Sequence, residues 1–84
     1  MENKVFVTLI VPELDENYDL LMPVNRKIGN IIELINKFLI EQTKDLYRCN
    51  VNQNLYNHES GMRYNINNTI YETDIRNGTK LVLI

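Results

Sequence analysis

Cys49 and His58 are the two residues whose types could together do covalent chemistry, with the imidazole activating the thiol as a nucleophile. Such a pair needs both side chains within hydrogen-bond reach, and usually a third group that orients the base. Nothing in the spacing of Cys49 and His58 fixes that geometry. We therefore predict no catalytic residue, a partly buried Cys49 thiol, and a His58 imidazole at the surface or in a turn.

Metal and cofactor sites need larger groups of ligands than this sequence offers. A structural zinc site takes four ligands, whereas the chain has one Cys and one His. The acidic run from Glu13 to Asp19 lacks the glycine and the bidentate glutamate of a calcium loop, so we interpret it as a solvated hairpin tip. The three glycines are isolated and form no phosphate-binding loop. We predict no metal and no cofactor.

Length and charge restrict the possible partners. The 84 residues form one domain, 1–84, which is too small to combine a core with a large catalytic cleft, so we expect no enzyme. A net charge of −2 argues against nucleic acid and against a polybasic membrane anchor. No apolar stretch approaches the roughly 18 residues of a membrane span. A single Cys and the lack of a recognisable cleavage site indicate a mature cytoplasmic protein.

The first half of the sequence contains the clearest elements. Lys4–Val11 is rich in β-branched residues and predicts a strand, and Tyr18–Met22 predicts a second strand that forms an antiparallel hairpin with it. In Ile28–Gln42, apolar residues recur every three or four positions, which predicts an amphipathic helix with Leu34 at the margin of its apolar face. Asn25 is a candidate N-cap for this helix.

The second half gives weaker signals. Gln53–His58 and Met62–Asn65 are predicted strands, and Thr69–Glu72 has the form of a capping box that opens a short helical turn. Asn77-Gly78 predicts a turn with positive φ, followed by a last strand, Thr79–Ile84. One helix covering one face of one mixed sheet of four to five strands is a two-layer α+β domain. The first and last strands are the most apolar, so we expect both to be central, with the first strand between the second and the last.

This order of elements is that of the β-grasp, or ubiquitin-like, architecture. The sequence resembles the small ubiquitin-like proteins of bacterial type VII (WXG100) secretion loci, the YukD/EsaB group. The positions that carry the resemblance are Tyr18-Asp19-Leu20, Met22-Pro23, Ile28, Asn30-Ile31-Ile32, Gly61, Thr69-Ile70, Asp74-Ile75, Asn77-Gly78, Leu81 and Leu83-Ile84. The Asn-rich segment 48–54 departs from it. The resemblance implies a cytosolic, non-enzymatic accessory or regulatory protein of a secretion system.

The C-terminal sequence bears on covalent chemistry. Ubiquitin and the sulfur carriers of thiamine and molybdopterin synthesis end in a flexible Gly-Gly tail, whereas no glycine follows Gly78 here. We therefore expect no conjugation and no thiocarboxylate. Two alternatives stay open: a small structural homo-oligomer, and a truncated sulfur-carrier-like protein.

Strand alternation predicts an apolar patch on the face of the sheet opposite the helix. One interpretation is a surface for protein partners, among them type VII secretion components or a second copy. The other is that strand propensity alone selects these residues, or that a loop covers them. The predicted protein-binding residues are Phe6, Ile10, Leu21, Tyr56, Val82 and Ile84.

Overall fold

The computed structural model describes residues 3–48 and 52–84. Its strands and helix are β1 (Lys4–Val11), β2 (Glu16–Pro23), α1 (Ile28–Gln42), β3 (Leu55–Asn57) and β4 (Lys80–Leu83). The bounds of β1 and α1 are those predicted from the sequence. β2 is longer than predicted, whereas β3 and β4 are shorter.

The four strands form one sheet in the order β2-β1-β4-β3. β1 pairs antiparallel with β2 and parallel with β4, while β3 pairs antiparallel with β4. The prediction that the first strand lies between the second and the last is confirmed. The central parallel pair is possible because the helix and the long connections after it carry the chain back across the sheet.

The β1–β2 hairpin is tighter than the sequence suggested. A single 3-10 turn at Pro12–Leu14 ends at Asp15, whose φ of 53° is left-handed and whose N–H bonds to the Pro12 carbonyl at 3.0 Å. Pairing therefore starts at once, with Val11 opposite Glu16. The connection that we predicted to reach Asn17 ends at Asp15, which lengthens β2.

The core lies between α1 and one face of the sheet. The helix stripe predicted from its apolar spacing is buried against alternate residues of β1 and β4, as the pattern required. Phe38 is half-buried and meets Tyr18 of β2 edge to face, with ring centroids 5.4 Å apart. The buried residues of these elements are Val7, Leu9, Val11, Met22, Ile28, Ile31, Ile32, Ile35, Leu39, Leu55, Leu81 and Leu83.

The prediction of a strand at Met62–Asn65 was wrong. The segment makes one isolated bridge, between Tyr56 and Arg63, and then turns away from the sheet. The segment leaves the sheet because the backbone carbonyls that follow it bond to the start of α1. The Asn68 carbonyl accepts the Ile28 N–H at 2.8 Å, and the Ile66 carbonyl accepts the Gly29 N–H at 3.0 Å.

The same two carbonyls explain why Asn25 is not the N-cap of α1. The cap position is Lys27, which contributes no side-chain hydrogen bond. The first N–H groups of a helix need acceptors from outside the helix. Here the 66–68 turn supplies them from its backbone, so no capping side chain is required.

Candidate protein-binding surface

The face of the sheet opposite α1, which we call the open face, carries all six predicted binding residues. Paired strand residues share a face, and the pairing sets Phe6 opposite Leu21 and Val82 opposite both Ile10 and Tyr56. Phe6 is 48% exposed, Leu21 62% and Ile84 59%. The other three are partly buried. The predicted alternation of the strands is therefore observed.

Phe6 and Leu21 form the first of two apolar groups on the open face. The Phe6 N–H donates to Asn77 Oδ1 at 2.8 Å and its carbonyl accepts from the Gly78 N–H at 2.7 Å, so neither bonds to Leu21. Such a non-hydrogen-bonded antiparallel pair has Cα atoms only about 4.5 Å apart. The two side chains therefore lie side by side at the β1–β2 end of the face.

The second group is a row that crosses three strands. Ile10 of β1, Val82 of β4 and Tyr56 of β3 are direct neighbours across the sheet. Ile84 follows Val82 by two residues and keeps its register, because its N–H and carbonyl bond to Asn54 at 3.1 and 2.7 Å. Ile84 therefore extends this row beyond the end of β4.

A polar row separates the two groups. Thr8 is paired with Asp19 on one side and with Lys80 on the other. The Thr8 hydroxyl donates to Asp19 Oδ1 at 3.0 Å, which fixes the row in place. Four residues of strand span about 13 Å, so Phe6 and Ile10 do not touch. The open face thus presents two apolar groups rather than the single patch predicted from alternation.

A second apolar surface, which was not predicted from the sequence, lies between strand β2 and helix α1. It is a groove of about 190 Å³. Leu34, which is 40% exposed, forms part of its helical wall. The sequence signal for it was Leu34 itself, an apolar residue at the margin of the helix stripe. The groove is lined by Leu20, Leu21, Met22, Pro23, Ile31, Leu34, Ile35 and Phe38.

Tyr64 is the buried centre of a small polar cluster. Its hydroxyl donates to Asp74 Oδ1 at 2.7 Å and accepts from Asn57 Nδ2 at 3.0 Å. Burial, together with the hydrogen bond to the Asp74 carboxylate, raises the pKa of Tyr64 to about 12. The phenol therefore stays protonated and serves as a structural link between the β3 turn and residues 73–75.

Tyr47 organises a second cluster beyond the end of α1. The buried ring places its hydroxyl between Asn36 Oδ1, to which it donates at 3.2 Å, and the Gln53 amide, which donates to it. Asn36 Nδ2 closes the set by donating to Gln53 Oε1 at 2.8 Å. This ties the chain around residue 53 to the helix and gives the Tyr47 hydroxyl a structural role.

Of the two residues whose types could together do covalent chemistry, the structure describes one. His58 is exposed in the turn that follows β3, as predicted. Cys49 lies outside the described residues. Within residues 3–48 and 52–84, no three His, Cys, Asp or Glu side chains are grouped so that they could hold a metal ion. No helix in that same part of the chain has the length and apolar character needed to cross a membrane.

The sheet order and the single covering helix are shared with solved structures of ubiquitin-like domains. The ubiquitin-like domain of EccD1, a Mycobacterium tuberculosis type VII secretion protein, has a TM-score of 0.75 at 15% identity over 100% of this chain and 99% of its own. The EccD5 ubiquitin-like domain of Mycobacterium xenopi has a TM-score of 0.79 at 15% identity over 99% of this chain and 94% of its own. The chain has the ubiquitin-like β-grasp fold.

A third similar structure comes from a much larger protein. A chain of an ESX-5 inner membrane complex freed of MycP5 has a TM-score of 0.81 at 13% identity over 99% of this chain, which spans only 21% of that one. No family model and no curated protein matches the sequence. At such identities the likeness by itself shows the fold.

Proposed function

We propose that this chain is a non-enzymatic, ubiquitin-like protein-interaction module of a bacterial type VII secretion system, a cytoplasmic accessory or regulatory protein of the YukD/EsaB kind. The observation that supports this most directly is the likeness to ubiquitin-like domains of EccD proteins over nearly the whole chain. The sequence motifs that resemble the YukD/EsaB group point the same way, independently of the coordinates.

The open face supplies the surface for such a role. Leu21 and Ile84 are more than half exposed, and no loop in the described part of the chain covers either. A solvated sheet face normally carries polar residues, so exposed apolar side chains on both sides of a polar row suit a protein partner. The Thr8–Asp19 hydrogen bond and Lys80 would give that partner polar groups to match between the two apolar contacts.

Deletion of the gene in its native host tests the secretory role. We expect the amount of WXG100 protein in the culture medium to change, and the wild-type gene to restore it. Complementation with Val82→Asp, which places a charge in the second apolar group, should fail, whereas Lys37→Glu, a change at an exposed residue of helix α1 on the other side of the sheet, should succeed. Unchanged WXG100 secretion in the deletion strain would count against the proposal.

The proposed role is non-covalent. The chain recovered from cells should then keep an unmodified C-terminal carboxylate, which mass spectrometry measures. A thiocarboxylate or an isopeptide adduct would favour the carrier alternative instead. This measurement reports only whether the C-terminus is covalently modified. It therefore distinguishes the non-covalent role from the carrier role without depending on the partner's identity.

A further inference from the structure

Among the residues that the structure describes, β2 is an edge strand, and no strand pairs with its outer backbone groups. The Val24 N–H bonds inward to Asn3 at 2.8 Å, and the register continues without a break along the hairpin. Because backbone groups alternate in direction along a strand, the N–H and carbonyl groups of Asn17, Asp19 and Leu21 point outward. Pro23 has no N–H to offer. The outward edge is therefore a row of free donors and acceptors.

The apolar groove runs along this same edge. Its walls come from the inward side chains of β2 and from Leu34 and Phe38 of α1. A strand added to β2 would place its alternate side chains over the groove, where they would find apolar neighbours. The edge thus offers both backbone hydrogen bonds and apolar contact.

The two ends of β2 carry opposite charge. Exposed acids stand at the hairpin end, and exposed bases stand where the chain leaves β2 and where β1 begins beside Pro23. None of the six forms an ion pair with a residue of the described ranges. The acids are Glu13, Asp15 and Glu16; the bases are Lys4, Arg26 and Lys27.

We propose that the β2 edge binds the β2 edge of a second copy, antiparallel about a two-fold axis, so that two four-stranded sheets join into one. An antiparallel arrangement sets the acidic end of each strand against the basic end of the other. The edge of one copy is therefore complementary in charge to the same edge of another copy, and the two-fold contact gives a closed dimer. A partner of different chemistry would have to reproduce this same charge gradient.

The pleat selects the register of the pairing. Residues opposite each other must share a face, so the two-fold axis passes through a residue of β2, either Leu20 or a neighbour of it. Centring on Asp19 would oppose two carboxylates. Centring on Leu20 places Asp19 opposite Leu21 of the second copy, with reciprocal backbone hydrogen bonds. Glu16 then lies opposite Val24 of the second copy, close to Arg26 and Lys27 there.

Sedimentation equilibrium of the full chain, over a range up to millimolar concentration, tests the dimer. We expect a monomer–dimer equilibrium that salt weakens. Leu34→Asp in the groove should abolish the dimer. Met62→Asp, an equally polar change at an exposed residue on the β3 side of the sheet, should leave it intact. A chain that stays monomeric at millimolar concentration contradicts the proposal.

A charge exchange tests the antiparallel orientation without touching apolar packing. One variant carries Glu13→Lys and Glu16→Lys, and the other carries Arg26→Glu and Lys27→Glu. Each alone should raise the dimer dissociation constant about ten-fold or more at low salt, because like charges then meet at both ends. Their equimolar mixture should form a heterodimer. Homodimers of either variant as stable as the wild type, or a mixture that stays monomeric, would overturn the orientation.

Amide hydrogen exchange locates the contact. On dimerisation, the amides of Asp19 and Leu21 should become protected, whereas those of Ile10 and Val82 should not change. A dimer in which the Asp19 and Leu21 amides exchange as fast as in the monomer would form through another surface and would refute this proposal. None of these readouts involves secretion, so their failure is distinguishable from failure of the proposed function.

Discussion

Gly78 ties the turn before β4 to strand β1 at the centre of the sheet. Its φ of 91° lies where side chains are strained, and its N–H bonds to the Phe6 carbonyl at 2.7 Å. We expect Gly78→Ala to lower the free energy of unfolding by about 1–2 kcal/mol. Gly29→Ala is the control, since that helical glycine does not need positive φ and the new Cβ would sit 3.4 Å from the Ile66 carbonyl. Urea denaturation measures both, and equal losses would contradict the assignment.

Tyr64 is a titratable residue whose protonation affects stability. Its pKa is about 12 in the fold against 10.0 unfolded, so its contribution is full below pH 10. Between pH 10 and about 12 the unfolded chain releases the phenolic proton first, and the free energy of unfolding falls. Tyr64→Phe should be less stable than wild type at pH 7 by about 1 kcal/mol, through the lost hydrogen bonds.

The difference between wild type and Tyr64→Phe then isolates this group from the other tyrosines. It should shrink as the pH rises above 10. Urea denaturation of both proteins at several pH values gives the comparison. A difference that stays constant through this range would mean that Tyr64 is not the buried donor described here.

At the scale of elements, the 3-10 turn Ile70–Glu72 links the helix start to the sheet. Glu72 Oε1 accepts the Thr69 N–H at 2.8 Å, and Thr69 forms a bridge with Lys27 just before α1. We expect Glu72→Ala to cost about 1 kcal/mol of unfolding free energy, and Glu72→Gln to cost less because it keeps the acceptor. Thermal unfolding followed by circular dichroism tests this, and identical melting of the two variants would argue against the cap.

The elements also show where sequence patterns succeed. β1 and α1 have continuous apolar periodicity, and their bounds were predicted to the residue. The strand expected at Met62–Asn65 has short apolar spacing too, but its chain is diverted because carbonyls 66 and 68 cap α1. The local pattern contains no information about these distant hydrogen bonds, so the sequence predicted a strand that does not form.

At the scale of the whole molecule, the two faces of the sheet should respond differently to a charge. Val82 is on the open face, whereas its neighbour Leu83 is buried in the core. Val82→Asp should keep the native circular dichroism spectrum, while Leu83→Asp should unfold the domain, since an unpaired buried carboxylate costs several kcal/mol. Unfolding of both variants would place Val82 in the core and remove the second apolar group as a binding surface.

Which residues face the core and which face outward can be predicted from the sequence pattern alone. That information is in the alternation of strands and the three-to-four spacing of the helix, both of which are set by local backbone geometry. The order of the strands followed from the resemblance and from the two most apolar strands being central.

How the outward residues are grouped depends on the packing of the whole fold. Register between strands distant in sequence put Thr8 between Asp19 and Lys80, and so divided one expected patch into two. The same packing left a groove beside an unpaired edge with opposite charges at its ends. These features depend on which strands become neighbours and how those strands are aligned. The sequence pattern does not predict them, because the periodicity within a single strand is the same for every such alignment.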